Sequence, residues 1–568
     1  MSTLSYFAAA PVTPLVTKTS EILQRRLLER AGIRLIPGDK RADIVLAIEK
    51  GIGREGFRIE SAGEQTRITG NDERGLLYGV GKYLRDRSWR GVSVPEKQVR
   101  GMYFATHFHN FYHDAPIEQV TQYIEELALW GCNVLSVWFD MHHYNGIADP
   151  AAQAMLDRLR AMLRAANAVG MGAGLTMLAN EGYANSPVPL RADWRAGQNG
   201  YTRPPVGHYH VELCPSQTEA VELLLASRRE LFAALSGIEF EYLWIWPYDQ
   251  GGCTCARCAP WGANGFIKLA TKLGELCRQI HPRAKTVLST WGFDTFTTGE
   301  WEGVHHAFVT KPAWADYLMV DLRHGPGATF LGQHGAPGGL PLLDFPEISM
   351  MGMTPWGGFG ANAMPQFWGK YWAESRERLA GGFPYSEGIF EDLNKVVLLQ
   401  SYWDGRRSAT EIMREYIAAE FAPAVVDDVA NAIAISEKNL GTELSIKIDD
   451  HDYMVYYFMA ALKGGKTYRL RYKLPALTQT AECLDLFKRA EAQLPTRVQQ
   501  SWRWRVLAIR AAMDDALAKG GQEPCAAYDE LFESLIDIYY AQNAEEPVLP
   551  PSRAAIAQLV AHGDVHSF

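Results

Sequence analysis

Residues 248–258, YDQGGCTCARC, place one acid, two glycines and three cysteines within eleven positions. They directly follow the apolar run FEYLWIW at residues 240–246. A carboxyl group can give or take a proton during catalysis, and clustered thiolates can bind a metal ion. The segment therefore carries groups for two kinds of chemistry, proton transfer at Asp249 and metal binding at the cysteines.

The cysteines Cys253, Cys255 and Cys258 have the spacing C-x-C-x-x-C, which allows three thiolates to reach one ion. A structural zinc site needs a fourth soft ligand, and Cys214, expected at the top of the neighbouring strand–helix unit, is the best candidate. We therefore predict one structural zinc ion bound by these four cysteines; the alternative is a chance cluster without metal. Apolar or helical contexts predict core packing for the other cysteines, Cys132, Cys277, Cys483 and Cys525.

Asp249 is expected at the end of a buried strand, where Gly251 and Gly252 let the backbone turn away sharply. An aspartate before glycine is most often a turn or capping residue, and this role is the alternative. The strand also ends in aromatic residues, including Trp246 and Tyr248, which are suited to contact with a sugar ring. These features favour an Asp249 side chain that faces a substrate, with the cysteines holding its loop.

The elements that must position these groups alternate regularly between strand and helix from residue 98 to residue 405. Eight such units over about 300 residues predict a (β/α)8 TIM barrel of the α/β class, with a doubly wound sheet as the alternative. Chemistry in such a barrel lies where the strands end. The strands are predicted at residues 99–107, 133–140, 170–178, 240–249, 285–293, 317–323, 341–350 and 381–388.

The barrel is expected to have a further domain on either side. Residues 17–87 alternate helix and strand on a smaller scale, which predicts a small α/β domain over residues 1–97, with a boundary near Pro95. Residues 406–568 show helical spacing and no convincing strand, which predicts a helical domain. A chain of 568 residues is long enough for several domains of this kind.

The overall composition narrows the class of function and the cellular compartment. A net charge of −9 without a basic stripe argues against nucleic-acid binding. The sequence has no apolar run of about 18 residues and begins without the features of a signal peptide, so no membrane association is expected. Eight cysteines without a secretion signal favour reduced thiols and a cytoplasmic location. A homo-oligomer is compatible with the sequence.

Several motifs resemble those of known glycosidases. The segment EGFRIESAGEQTRITGNDERGLLYGVGKYLRD, followed by VRGMYF, looks like the small α/β domain that precedes the barrel in α-glucuronidases and family 20 β-hexosaminidases. The helical tail is similar to α-glucuronidases and to related, largely uncharacterised glycosidase-like barrel proteins that carry an acid-then-cysteine loop after strand four. Where the hexosaminidases have an Asp–Glu pair, this sequence has Asp249–Gln250, which argues against hydrolysis assisted by an N-acetyl group.

The resemblance implies glycoside hydrolysis, which needs one carboxyl as proton donor and a second as nucleophile or base. Because related barrels place the acid after strand four, we predict Asp249 as the donor. Glu387, expected to end strand eight, is predicted as its partner. A helix-start acid is the alternative role for Glu387, although Glu391 and Asp392 fit that role better. The other acids expected at strand ends are Asp140, Glu181, Asp321, Asp344 and Glu347.

Further polar and aromatic side chains are expected to line the barrel mouth and contact the sugar. Histidines after strands one and two are predicted to bond sugar hydroxyls, with metal binding as the alternative for the pair His142–His143. Arg323 is predicted to pair with a substrate carboxylate such as that of a uronic acid, or else to form a structural salt bridge. The predicted substrate-binding residues are His107, His109, Asp140, His143, Glu181, Trp246, Tyr248, Trp291, Arg323, Trp356 and Tyr385.

Together these features predict an exo-acting glycoside hydrolase that cleaves oligosaccharides or glycoconjugates with two carboxylates. A different class of protein, a carbohydrate-binding barrel without catalysis, is the main alternative. Other barrel chemistry, such as that of a lyase or a zinc hydrolase, is the remaining one.

Overall fold

The structure is a computed structural model in which the described residues form three regions in chain order. A sheet domain comes first, a parallel barrel follows, and a mainly helical region comes last. The described residues are 2–106, 110–195, 197–201, 211–248, 252–322, 326–348, 363–386, 388–389, 391–440, 445–448, 451–454, 456–459, 468–471, 477–521, 525–539 and 566–567.

The first region is a mixed sheet with two helices. Its elements are β1 (Ser2–Ala8), α1 (Pro14–Ala31), β2 (Ile33–Pro37), β3 (Ile44–Ile48), β4 (Phe57–Ala62), β5 (Gln65–Gly70), α2 (Glu73–Arg85) and β6 (Gly91–Ser93). The strand order is β2-β1-β3-β5-β4-β6. Strand β1 was not predicted, because its sequence is rich in serine and threonine. It is fixed by Asp43, whose carboxylate accepts from the Ser5 backbone N–H at 2.6 Å and hydroxyl at 2.7 Å.

The second region is the barrel, in which helices alternate with parallel strands. Its strands are β7 (Val99–Phe104), β8 (Val134–Trp138), β9 (Gly172–Leu178), β10 (Phe240–Trp246), β11 (Lys285–Ser289), β12 (Tyr317–Val320), β13 (Leu342–Asp344), β14 (Leu379–Gly382) and β15 (Tyr385–Ser386). Its helices are α3 (Phe111–Asp114), α4 (Ile117–Leu129), α5 (Pro150–Ala168), α6 (Thr218–Ala234), α7 (Ile267–Ile280), α8 (Glu300–Ala307), α9 (Gly327–His334), α10 (Pro365–Ser375) and α11 (Asp392–Trp403).

The barrel is closed by its last strand, which occurs in two short pieces. Strands β7 to β13 pair in chain order, and both β14 and β15 pair with β7. Gly381 has a φ of 137°, and a Cβ there would lie 1.8 Å from the Val99 carbonyl oxygen, so only glycine permits this close pairing. The closed ring confirms the (β/α)8 prediction and excludes an open doubly wound sheet.

Most strands end earlier than predicted. Strand β10 ends at Trp246 rather than at residue 249, and β13 ends at Asp344 rather than at residue 350. Proline follows soon after in both cases, as Pro247 and Pro346, and it cannot donate to a strand ladder. Several side chains expected at strand ends therefore lie in the first residues of the following loops.

The third region packs against the barrel through α12 (Ala409–Glu420), which contacts α10 and α11. Arg503 docks it by pairing with Glu126 at 2.8 Å and Asp392 at 2.7 Å. Among the described helices, none combines the length and apolar character needed to cross a membrane. The helices are α12 (Ala409–Glu420), α13 (Val426–Leu440), α14 (Thr480–Glu491), α15 (Thr496–Gln499), α16 (Trp502–Lys519) and α17 (Ala526–Tyr539).

The expectation that no strand follows residue 405 is wrong. The short strands contain β-branched and aromatic residues, as in SIKI and YYFM, which favour extended backbone over helix. β16 pairs with β17, β17 with β20, and β18 with β19, all antiparallel. The third region contains β16 (Ser445–Ile448), β17 (His451–Met454), β18 (Tyr456–Met459), β19 (Tyr468–Arg471) and β20 (His566–Ser567).

Candidate active site and a neighbouring cysteine cluster

The predicted catalytic pair, Asp249 and Glu387, lies outside the described residues. The same is true of four predicted substrate-binding residues. The structure does describe the chain directly beside the pair, at Tyr248 and Ser386. The four substrate-binding residues outside the described part are His107, His109, Arg323 and Trp356.

Two of the predicted acids, Asp140 and Glu181, follow the neighbouring strands β8 and β9 at the mouth of the barrel. Both are buried, with exposures of 2% and 1%. The Glu181 carboxylate accepts from the Trp138 indole N–H at 3.2 Å and the His142 backbone N–H at 3.2 Å. The ring nitrogen Nδ1 of His142 lies 2.7 Å from the same carboxylate. Hydrogen bonds to both of its oxygens therefore hold the Glu181 carboxylate in one orientation.

The Asp140 carboxyl group is held less completely. The Tyr144 hydroxyl hydrogen-bonds to it, while its Oδ1 has no hydrogen-bond partner among the described residues. Burial, and then the negative charge of Glu181, raise the pKa of Asp140 well above its usual range. A buried carboxyl that retains its proton beside a second carboxylate can donate a hydrogen bond to a bound oxygen.

The histidines beside these acids also meet there. His143 is about half exposed, and its Nδ1 lies 3.7 Å from an Asp140 oxygen. Possible ligand atoms of Asp140, His142 and His143 lie within 4.8 Å of one another. The arrangement allows either hydrogen bonds to sugar hydroxyls or contact with a cation, so it leaves both interpretations of the histidine pair open.

An aromatic wall stands beside the acids. Trp246 and Trp291 are only partly buried, and their ring centroids lie 5.8 Å apart. Phe345 lies behind them, 4.9 Å from Trp246 and 5.9 Å from Trp291. Tyr385 continues the wall, 5.7 Å from Phe345. Partly exposed indoles over a packed aromatic layer are suited to stacking on the apolar face of a sugar ring.

Tyr248 does not belong to this wall, which corrects its predicted role as a sugar contact. It is fully buried, and its hydroxyl donates to Glu300 at 2.7 Å and lies 3.0 Å from the Tyr201 hydroxyl. Glu300 also accepts from the backbone N–H of Gly262 at 2.7 Å and of Asp294 at 2.8 Å. Burial raises the pKa of Glu300 to about 7, against the lowering effect of these donors. This network fixes the chain directly before Asp249.

A second buried network fixes the chain on both sides of Glu387. The Ser386 hydroxyl donates to Glu391 at 2.6 Å and lies 2.6 Å from the Tyr112 hydroxyl. The Gly388 carbonyl accepts from Tyr112 at 2.8 Å and also from the buried Lys395 ammonium. Lys395 donates to Tyr112 at 2.9 Å. The residues before and after Glu387 are therefore anchored to the barrel.

The remaining strand-end acids have other surroundings. Asp344 is buried and accepts from the Tyr371 hydroxyl at 2.5 Å. Glu347 forms an isolated parallel bridge to Tyr385 through its backbone. Asp321 lies directly after β12 and is half-buried. Asp140 and Glu181, by contrast, are linked by the effect of the Glu181 charge on the pKa of Asp140.

The four cysteines predicted to bind zinc lie together beside this site. The Cys214 sulfur lies 3.6 Å from that of Cys253, 3.8 Å from that of Cys255 and 3.9 Å from that of Cys258. All four sulfurs lie within 4.8 Å of one another. Three of the side chains are buried and Cys255 is half-buried.

Sequence reasoning missed three residues that organise the site: Glu300, Lys395 and Asn180. Glu300 begins a helix, so the sequence indicates only an ordinary first-turn acid. Lys395 lies inside an apolar helical stretch, where a buried ammonium is unusual enough to have been a signal. Asn180 directly precedes Glu181 and carries no signal of its own.

No family model matches the sequence, and no curated protein matches it. Among solved structures, the family GH115 4-O-methyl-α-glucuronidase BtGH115A, with specificity for decorated arabinogalactans, has a TM-score of 0.61 at 11% identity, over 96% of this chain and 77% of its own. A GH138 enzyme targeting the pectin rhamnogalacturonan II has a TM-score of 0.58 at 11% identity, over 96% of this chain and 89% of its own.

CpGH89 from Clostridium perfringens, in complex with GlcNAc-α-1,4-galactose, has a TM-score of 0.56 at 13% identity, over 92% of this chain and 65% of its own. The chain has the fold of these glycoside hydrolase barrels. The resemblance to α-glucuronidases expected from the sequence is confirmed at the level of the fold. At such low identity the likeness does not extend to substrate or mechanism.

Proposed function

We propose that this protein is a glycoside hydrolase that acts on oligosaccharides or glycoconjugates from their ends. The observation that carries the proposal is the buried Asp140 carboxyl, whose Oδ1 has no hydrogen-bond partner among the described residues. It lies at the mouth of a closed barrel, where chemistry occurs in this fold. Partly exposed indoles at the same mouth supply a surface for a sugar. The neighbours with this fold that are named above are glycoside hydrolases, which supports the same choice.

In this proposal Asp249 gives a proton to the leaving oxygen and Glu387 serves as nucleophile or base. The supporting observations are the two networks beside them. Tyr248 is locked to Glu300 on one side, and Ser386 and Gly388 are locked to Glu391 and Lys395 on the other. Rigid attachment of neighbouring residues is what a positioned acid and base require.

Asp140 and Glu181 are proposed to bind the sugar rather than to react with it. Asp140, with its raised pKa, would remain protonated and donate a hydrogen bond to a ring substituent. Glu181 would present its carboxyl group close to the reaction centre, oriented by Trp138 and His142. A negative charge there favours the positive charge that develops on the sugar in the transition state.

The proposal is tested with a panel of nitrophenyl α- and β-glycosides, including glucuronides and N-acetylglucosaminides. For a substrate that the wild type cleaves, Asp249→Asn and Glu387→Gln should each lower kcat by about two to four orders of magnitude. The matched control is Glu239→Gln, which removes a surface carboxylate that is 84% exposed. It should leave kcat unchanged.

Circular dichroism and thermal melting of each variant establish that the loss is not a loss of folding. Near-normal turnover by both Asp249→Asn and Glu387→Gln would refute the assigned pair. Binding of sugars without turnover of any glycoside would refute hydrolysis and favour the non-catalytic carbohydrate-binding barrel instead.

A further inference from the structure

We propose that Cys214, Cys253, Cys255 and Cys258 bind one zinc ion in a closed, structural site beside the mouth of the barrel. Zinc–sulfur bonds of about 2.3 Å in a tetrahedral arrangement place neighbouring sulfurs about 3.8 Å apart. The distances from the Cys214 sulfur to the other three are 3.6, 3.8 and 3.9 Å. These three distances match a tetrahedral four-thiolate site, and the remaining sulfur pairs lie within 4.8 Å.

The same distances argue against disulfides. A disulfide requires sulfurs about 2.05 Å apart, and all eight cysteines are free. Burial supports a structural site, because Cys214, Cys253 and Cys258 are 5%, 0% and 1% exposed and Cys255 alone of the four is half-buried. The Ser216 hydroxyl, 3.0 Å from the Cys214 sulfur, supplies the kind of hydrogen bond that orients a metal-bound thiolate.

The ligands come from two loops, so the ion would join them. Cys214 lies in the segment before α6, after the long loop that follows β9, while the other three lie in the loop after β10. The two loops are also joined without metal. Thr254 donates its backbone N–H to the Asp193 carbonyl at 2.7 Å, and the Asn199 side-chain amide donates to the Thr254 carbonyl at 2.8 Å.

Asn180 links this cluster to the acids of the mouth. Its side-chain oxygen accepts from the Gly252 N–H at 2.9 Å, and its side-chain amide donates to the carbonyls of Gly252 at 2.7 Å and Leu213 at 3.0 Å. Gly252 precedes one ligand, Leu213 precedes another, and Asn180 precedes Glu181. The zinc ion would thus hold in place the loop that contains Asp249 and the turn that contains Glu181.

The proposal is tested first by elemental analysis of protein purified without added metal. The wild type should contain about one zinc per chain, and Cys253→Ser should lose it, because three remaining thiolates hold zinc much less tightly. The matched control is Cys277→Ala, which removes a buried cysteine outside the cluster and should keep the zinc. The proposal is overturned by less than about a tenth of an equivalent of zinc in the wild type. Full zinc content in Cys253→Ser would overturn it equally.

A second measurement uses the wild type alone, in case the ligand variants do not fold. Replacement of the metal by Co²⁺ should produce the intense visible and near-ultraviolet bands of tetrahedral cobalt thiolate. A spectrum without sulfur-to-cobalt charge transfer would contradict the four-thiolate site. Neither measurement involves glycoside turnover, so this inference stands or fails independently of the proposed function.

Discussion

The two ends of the barrel hold buried carboxylates in opposite ways. At the end that meets the N-terminal domain, Glu55 of that domain is 3% exposed and accepts from Arg100 of the barrel at 2.6 Å and from Arg74 at 3.0 Å. At the mouth, Asp140 is equally buried. Among the described residues, the basic side chain within ion-pair distance of it is that of His143, and no arginine or lysine lies so close. One carboxylate is neutralised by guanidinium groups and the other is not.

The pKa values show the consequence of this difference. Burial alone would raise the pKa of Glu55, but the charges of Arg100 and Arg74 outweigh burial, and the pKa lies below its usual value. Burial and the charge of Glu181 together raise the pKa of Asp140. In barrels of this kind the end with the strand N-termini serves stability and the mouth serves chemistry. Glu55, which is paired with two arginines, fits the first role, and Asp140, which has no arginine or lysine partner among the described residues, fits the second.

The largest effect on stability is expected from removing the negative charge of Glu55, which pairs with Arg100 and Arg74. Glu55→Gln would leave Arg100, which is completely buried, without its carboxylate. The expected cost is about 3–5 kcal/mol of unfolding free energy, because removal of one partner leaves the other charge buried and uncompensated. Urea denaturation measures it. The matched control is Glu49→Gln, which breaks the exposed pairs with Arg58 and Arg67 and should cost no more than about 1 kcal/mol.

A smaller effect, which depends on pH, is expected at Glu300, a buried carboxyl held by neutral donors. Its pKa rises from 4.5 to about 7 on folding, so the folded state binds the proton more tightly than the unfolded state. Its contribution to stability is complete below pH 4.5 and is lost as the pH rises to about 7. The unfolding free energy should fall by about 3 kcal/mol over this range. Above about pH 7, Glu300 should cause no further change in stability.

Glu300→Gln should remove this slope. The variant is also expected to be less stable at low pH, because its amide cannot accept from both Gly262 and Asp294 through two oxygens. Urea denaturation of both proteins across the range from about pH 4.5 to 7 measures the difference. Equal slopes in the two proteins would show that Glu300 does not titrate in this range.

Much of the fold was predictable from the sequence, because burial on both faces makes the parallel strands β8 to β11 read as apolar runs. Asp140 and Glu181 were identified as strand-end acids for the same reason. The cysteine cluster followed from local spacing, with Cys214 added from its expected place in the neighbouring unit.

The remainder depends on contacts between distant segments. Tyr248 was expected to face the substrate, but its orientation is decided by Glu300, which lies 52 positions away. Lys395 and Tyr112 are 283 positions apart, and no local pattern indicates that they meet. The strands from Ser445 to Arg471 were missed because each is only four residues long, too short for an alternating pattern to stand out.

The comparison between the two ends is tested most directly by the matched truncations Asp140→Ala and Glu55→Ala, each assayed for unfolding free energy and for turnover of a cleaved glycoside per folded molecule. Asp140→Ala should change stability by no more than about 1 kcal/mol, because the buried Asp140 carboxyl has no arginine or lysine partner among the described residues and its Oδ1 accepts from none of them. It should lower kcat/KM by about one to two orders of magnitude, through loss of a hydrogen bond to the sugar. Glu55→Ala should do the opposite, with a large loss of stability and unchanged turnover. An Asp140→Ala variant that is as unstable as Glu55→Ala and fully active when folded would contradict the account.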